Sequence, residues 1–380
     1  MLSKRHSGLA VLCALALGLC VTSSLRAEDA KAVVAWLQSK GADVQTDERG
    51  DVRSVQFYDT VIKGDLAVEV KWSDADLLRL KPLKSLQSIT LVGATFSADG
   101  LAKLAELPAL EALNLSGAFD GSPAKQFKDA HLKGLGQIKG LKSLQIAEGD
   151  ITTLEPLSAL ISLEVLGVPG EKMDDAGFKH IANMKNLKRL YLLNGRVTDL
   201  APLAGLTKLE AIDVSGAPIT DAGFKPIAAL KSVKELNVAG TKITNAGIAA
   251  VAGMSDMVNL ELSGIEISDL KPLAGLVRLE HLGLNRTKIK DADLKHLAGM
   301  KSLTYLSLNG TDISDISVLR GMTKLTMVYL NDTGIDDADL ENLTGFDKNS
   351  QGEMTLGNGT KVSPQGINRM KKLYPNWYVF

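Results

Sequence analysis

A short apolar pattern returns at nearly fixed intervals along most of this chain, and no other feature limits the fold as strongly. Aligned on the first residue of L-x-x-L-x-L, the copies begin at Leu86, Leu110, Leu141, Leu163, Leu187, Leu209, Val233, Met257, Leu279, Leu303 and Leu325. From Leu141 onward the spacings are 22, 24, 22, 24, 24, 22, 24 and 22 residues. A period of this length marks a stacked array, in which one unit buries too little apolar surface to fold and its neighbours complete the core. Within a unit such as "LTYLSLNGTDISD", Leu306 and Leu308 are spaced to point to one side of a strand. Gly310 then lets the backbone turn, and Ile313 re-enters the core.

The pattern resembles the leucine-rich repeat, L-x-x-L-x-L-x-x-N-x-L, over roughly residues 52–362. Where that family has Asn, this chain has Thr241, Thr287, Thr311 and Thr333, or small residues such as Ala217 and Gly195. In the family that Asn links one repeat to the next, so the resemblance implies that the Thr hydroxyls partly replace it. The 22-residue units are similar to internalin repeats, and the 24-residue units to ribonuclease-inhibitor repeats with a longer helix. The implied fold is an α/β solenoid: a leucine-rich-repeat horseshoe with a parallel β-sheet on the concave face and short helices or 3-10 turns on the convex face.

The return legs carry matching signals. Asp221, Asp291 and Asp337 stand where helices would start, with apolar residues such as Phe224 and Ile227 following at helical spacing. Pro156, Pro202 and Pro272 fall early in the shorter legs, where a missing N–H is harmless. The acids of "DDAD", Asp336 to Asp339, read as helix caps rather than calcium ligands.

Outside the array, residues 1–27 read as an export signal: Lys4, Arg5 and His6, then an apolar run from Leu9 to Val21, then a polar stretch to Ala27. Residues 28–51 are expected to form a capping helix and lead-in, and 363–380 a C-terminal cap with an aromatic tail, Trp377, Tyr378 and Phe380. The spacing of 31 between Leu110 and Leu141 places a loop around Ser122.

Both cysteines, Cys13 and Cys20, lie in the leader, so the exported chain would have no disulfide and no Cys-ligated metal. Without Lys4, Arg5 and Arg26 the 43 basic residues become 40 against 44 acidic ones, a net charge of −4. That balance argues against nucleic acid as a partner. No apolar run of the exported chain is long enough to cross a membrane. His131, His180, His281 and His296 are spread over separate repeats without metal-ligand spacing. No cofactor, metal site or catalytic residue is expected.

Recognition is then expected on the strand residues between the leucines. Arg189, Tyr191, Asp213, Glu235 and Glu261 form one zone, an acidic strip flanked by an arginine and a tyrosine; Arg189 and Asp213 are close enough in register to pair. His281, Asn285, Tyr305, Asn309, Met327, Tyr329 and Asn331 form a second zone of aromatic and amide side chains. Stiff aromatics beside hydrogen-bonding groups suit a protein or peptide partner, with polysaccharide as the alternative. The resemblance implies a non-catalytic exported protein of the periplasm, cell envelope or exterior. A structural spacer is a further alternative. A hydrolase using Asp213 and Glu261 is a remote one, because an open sheet face lacks the water-excluding pocket such a pair needs.

Overall fold

The computed structural model describes residues 29–63, 66–93, 96–116 and 127–380. The expected leader and the loop around Ser122 lie outside the described residues. The chain falls into two compact units, residues 1–149 and 150–380.

In the first unit a helix over residues 29–39 ends before Gly41, whose φ of 90° only glycine adopts cheaply. Strand Asp43–Thr46 runs antiparallel to Val52–Tyr58. Strands Ser88–Val92, Ala112–Ser116 and Ser143–Ile146 then continue the sheet in parallel. The long interval before Leu86 holds an antiparallel hairpin, Thr60–Lys63 with Leu66–Glu69, followed by Trp72. Trp72 donates its indole N–H to the Tyr58 carbonyl at 2.7 Å and meets Phe57 and Trp36 edge-on. The helix is fastened to the sheet through this aromatic cluster, with Arg79 stacked 3.9 Å from the Trp36 ring.

The second unit is a regular parallel sheet. Val165–Pro169, Arg189–Leu193, Ala211–Asp213, Glu235–Asn237, Asn259–Glu261, His281–Gly283, Tyr305–Ser307, Met327–Tyr329, Gly352–Thr355 and Trp377–Val379 pair in chain order. Each pairing puts an apolar side chain opposite another: Leu190, Ile212, Leu236, Leu260, Leu282, Leu306 and Val328 form one inward row, each at most 2% exposed. The return legs explain the two unit lengths. The shorter units make a single 3-10 turn, as in Ala201–Leu203 and Lys271–Leu273, with Pro in the first turn. The longer ones insert an α-helical turn before it, as in Asp221–Phe224 or Asp291–Leu294, and bury Phe224 or Leu294.

At each corner the fifth residue after the strand's start is left-handed. Gly216, Gly240, Gly264 and Gly310 have φ of 67–73°, and Asn194, Arg286 and Asp332 take the same slot at 54°. The expectation that Thr hydroxyls link the repeats is corrected here. Thr241, Thr287, Thr311 and Thr333 donate to Val238, Leu284, Leu308 and Leu330 of their own coils, at 2.6–2.7 Å. A hydroxyl on a short side chain reaches back only three residues, so linkage between coils passes to the main chain. Gly216, Gly240 and Gly310 donate their N–H to the carbonyls of Ala239, Ser263 and Asn331.

The helix-start acids need a second correction. Asp221 and Asp291 do open helices, but both carboxylates accept from the next repeat: Asp221 from the N–H and hydroxyl of Thr244, Asp291 from those of Ser314. Asp175 and Asp337 do the same with Thr198 and Ser363. Asp337 precedes a 3-10 turn, Asp339–Leu343, rather than an α-helix, and within "DDAD" it is Asp339 that accepts from the Asp336 N–H.

After the last repeat, helix Pro364–Leu373 leads into strand Trp377–Val379. Tyr374 is wholly buried; it donates its hydroxyl proton to the Leu343 carbonyl and accepts from the Phe346 N–H. Among the described residues no helix is long and apolar enough to cross a membrane.

Candidate functional site

In a parallel sheet in perfect register, every second residue of neighbouring strands lines up in columns on the face opposite the leucines. One column of the second unit runs Arg189, Ala211, Glu235, Asn259, His281, Tyr305, Met327, Glu353, Tyr378. The column beside it runs Tyr191, Asp213, Asn237, Glu261, Gly283, Ser307, Tyr329, Thr355. Asn285, Asn309 and Asn331 follow just beyond the strand ends. The twelve residues singled out from the sequence all fall in or beside these columns.

Their interactions differ from a strip of free acids. Arg189 pairs with Glu235 at 3.3 Å, across the strand that carries Ala211, and its guanidinium also donates to the Tyr191 hydroxyl. The expected Arg189–Asp213 pairing gives way because Ala211, between the two partners, is too small to block the longer reach. Asp213 instead accepts from the Ser215 N–H at 3.0 Å and the Asn237 amide at 2.9 Å. The hydrogen bond with Tyr191 and the charge of Glu235 hold Arg189 above its ordinary pKa.

Glu261 lies over Gly283, where a Cβ would collide with its carboxylate. It accepts from the Ser263 N–H at 2.9 Å and meets the His281 Nε2 at 3.5 Å. Burial pushes its pKa up, but the hydrogen bonds from His281 and Ser263 outweigh burial and leave it below the usual carboxylate range. An acid that must donate a proton needs the opposite shift, which weighs against Glu261 as the proton-donating member of a hydrolytic pair.

The small side chain of Ala211 leaves a shallow hollow of about 310 Å³ in this part of the face. Ala211 and the strand segments at Ile212, Leu236 and Leu260, whose side chains point into the core, make its floor; Asp213, Glu235, Asn237, Asn259, Glu261, His281 and Tyr191 stand around it. Sequence reasoning named the acids but missed the hollow, and with it Asn237 and Asn259.

The second zone is a row of rings. His281 stacks on Tyr305 with centroids 3.9 Å apart and planes 10° from parallel, and Tyr305 meets Tyr329 at 5.3 Å. Met327, beside them, is 43% exposed. Burial and the Glu353 carboxylate that accepts its hydroxyl push Tyr329 up to about 12. The sequence-stated zone stops at Tyr329, yet the row continues: Tyr378 lies in register with Glu353 and Met327 and is 71% exposed. The only signal available in the sequence was the alternation of Trp377, Tyr378 and Val379.

The asparagines have structural work. Asn285 accepts from the Asn309 N–H and the Ser307 hydroxyl, and Asn309 accepts from the Asn331 N–H at 2.8 Å. The carbonyls of Asn285 and Asn309 are therefore committed to joining coils. Among the described residues no group of three His, Cys, Asp or Glu side chains is placed to hold a metal ion.

Residues 205–228, 229–252 and 277–335 match family models of the leucine-rich repeat. These stretches are leucine-rich repeats. The chain is similar to an internalin of Listeria monocytogenes, 22% identical with a TM-score of 0.67, over 92% of this chain and 93% of that one. It is also similar to a leucine-rich-repeat protein of Leptospira interrogans, 17% identical with a TM-score of 0.59, over 80% of each chain. No curated protein matches it in sequence. At these identities the likeness is one of fold.

Proposed function

We propose that this protein is exported and holds a protein or peptide partner on the face of its repeat sheet, without catalysis of its own. The observation that carries the reading is the row from His281 through Tyr305 to Tyr329, with Met327 and Tyr378 exposed beside it. Rings locked by stacking on a rigid sheet lose little entropy when a partner docks, and they offer large contact area. Export rests on the leader-like residues 1–27, and the compartment is the periplasm, the cell envelope or the exterior.

A polysaccharide partner is the second reading. It is favoured by the near-coplanar His281 and Tyr305 rings, a flat platform on which a sugar ring would stack.

A pull-down from envelope extract, with wild-type protein beside the Tyr305→Ala/Tyr329→Ala double variant, tests the reading. The expected outcome is a protein captured by wild type and lost by the folded variant. Equal capture by both would move recognition off the ring row, to the acidic strip around Asp213 and Glu261 or to another part of the molecule.

A further inference from the structure

The hollow and the ring row are adjacent parts of one surface, and their chemistry differs. Around the hollow the acids outnumber the bases: Asp213, Glu235 and Glu261 against Arg189, with His281 as a weak base. Glu235 is already matched by Arg189. Asp213 and Glu261 are satisfied by neutral amides and by the His281 ring, so their negative charge is hydrogen-bonded without being cancelled by a permanent cation. Below them Ala211 and the strand backbone form a floor along which a methylene stem would lie. Toward the other end of the face Tyr305, Met327 and Tyr329 present an apolar ridge, and Glu353 adds another carboxylate beside it.

We infer that this face takes an extended peptide segment that is basic, with a lysine or arginine side chain in the hollow and an apolar or aromatic side chain on the ridge. The inference rests on the proposed recognition function and specifies its partner. Charge complementarity selects the occupant: a cation gains charge pairing with two uncancelled carboxylates, an acidic segment is repelled, and a neutral glycan gains hydrogen bonds without charge pairing. The geometry also fixes a spacing. The centre of the hollow, on the Glu235 strand, is three strands from Tyr305, about 14 Å at the separation of parallel strands. An extended peptide crossing the strands covers that distance in about four residues, and side chains four apart point to the same side.

The test is selection of a random twelve-residue peptide library on the immobilised protein, followed by binding measurements on the most enriched synthetic peptide. The variants are Asp213→Asn/Glu261→Gln, which keeps the acceptors used by the Ser215 and Ser263 N–H groups, and Tyr305→Ala/Tyr329→Ala. Thermal melts confirm that both fold. The expected result is enrichment of Lys or Arg with an apolar residue four positions away. Binding should weaken about tenfold or more when either the peptide's basic residue or the carboxylate pair is neutralised, with no further loss when both are.

Peptides without basic bias that depend on the tyrosines would overturn the inference while leaving protein recognition on this face intact. Peptides bound equally by wild type and by both variants would overturn the inference and recognition on this face together. If no peptide is selected and a chitooligosaccharide probe binds wild type but not the tyrosine variant, the partner is a glycan and the inference falls.

Discussion

Tyr305 and Leu306 are adjacent in one three-residue strand, and their side chains face opposite ways: Leu306 is wholly buried, Tyr305 half-buried on the open face. Leu306→Ala should therefore cost about 2–5 kcal/mol through lost burial and a cavity that neighbouring coils cannot fill. Tyr305→Ala/Tyr329→Ala should cost less than half as much, because both rings lie off the core. Chemical denaturation of the two variants checks the order, and the reverse would mean that the strand register is wrong. The leucines were legible in the sequence because burial recurs at fixed spacing, and the same register placed Tyr305 and Tyr329 correctly on the other face. The hollow was not legible. It depends on what Ala211 lacks, and on a salt bridge from Arg189 to Glu235 that passes over an intervening strand. Nor was Tyr378, whose strand follows the last repeat and so shares no spacing with the others.

The return legs are stitched by a carboxylate in one unit and a Ser or Thr in the next. The pairs Asp175 with Thr198, Asp221 with Thr244 and Asp291 with Ser314 each stand 23 residues apart. Sequence showed the acids at helix starts and suggested capping; the partner in the next coil is seen only once the coils are stacked. For Asp175 and Asp291 burial raises the pKa, but the hydrogen bonds from Thr198 and Asp199, or Ser314 and Asp315, prevail and lower it. For Asp337 the Ser363 hydroxyl is the leading cause of a lowered value. A carboxylate depressed in the folded state contributes stability above the ordinary carboxylate range, and that contribution is lost as pH falls through the folded value. Asp291→Ala should therefore cost about 1–2 kcal/mol at neutral pH, from three lost hydrogen bonds on a partly exposed leg. The deficit should shrink at acid pH, once the pH falls below the ordinary carboxylate value and through the depressed folded one, where the wild-type carboxyl is itself protonated. Thermal melts of both proteins at neutral and acid pH read this directly; a deficit unchanged at low pH would show that the carboxylate's charge contributes nothing.

In a stacked array each coil is stabilised by its neighbours, so the terminal coil opens unless its apolar face is covered. In the second unit helix Pro364–Leu373 and strand Trp377–Val379 follow the last repeat. Tyr374 packs against Phe346 and Trp377 and spends its hydroxyl on main-chain groups of residues 343 and 346. We propose that this segment is the C-terminal cap, and the proposal makes a spatially graded expectation. Tyr374→Ala removes a fully buried ring and should cost about 3–5 kcal/mol, leaving a main-chain acceptor and donor unpaired. If stability is passed from coil to coil, the loss is felt first where the ring sat. Amide exchange in Gly352–Thr355 and Trp377–Val379 should quicken most, that in Met327–Tyr329 less, and that in Ala211–Asp213 least. Hydrogen exchange followed by mass spectrometry resolves these segments. A uniform rise across all of them would instead mean that the coils of this unit unfold as a single cooperative body, and the tail would be one part of the core among others rather than a lid upon it.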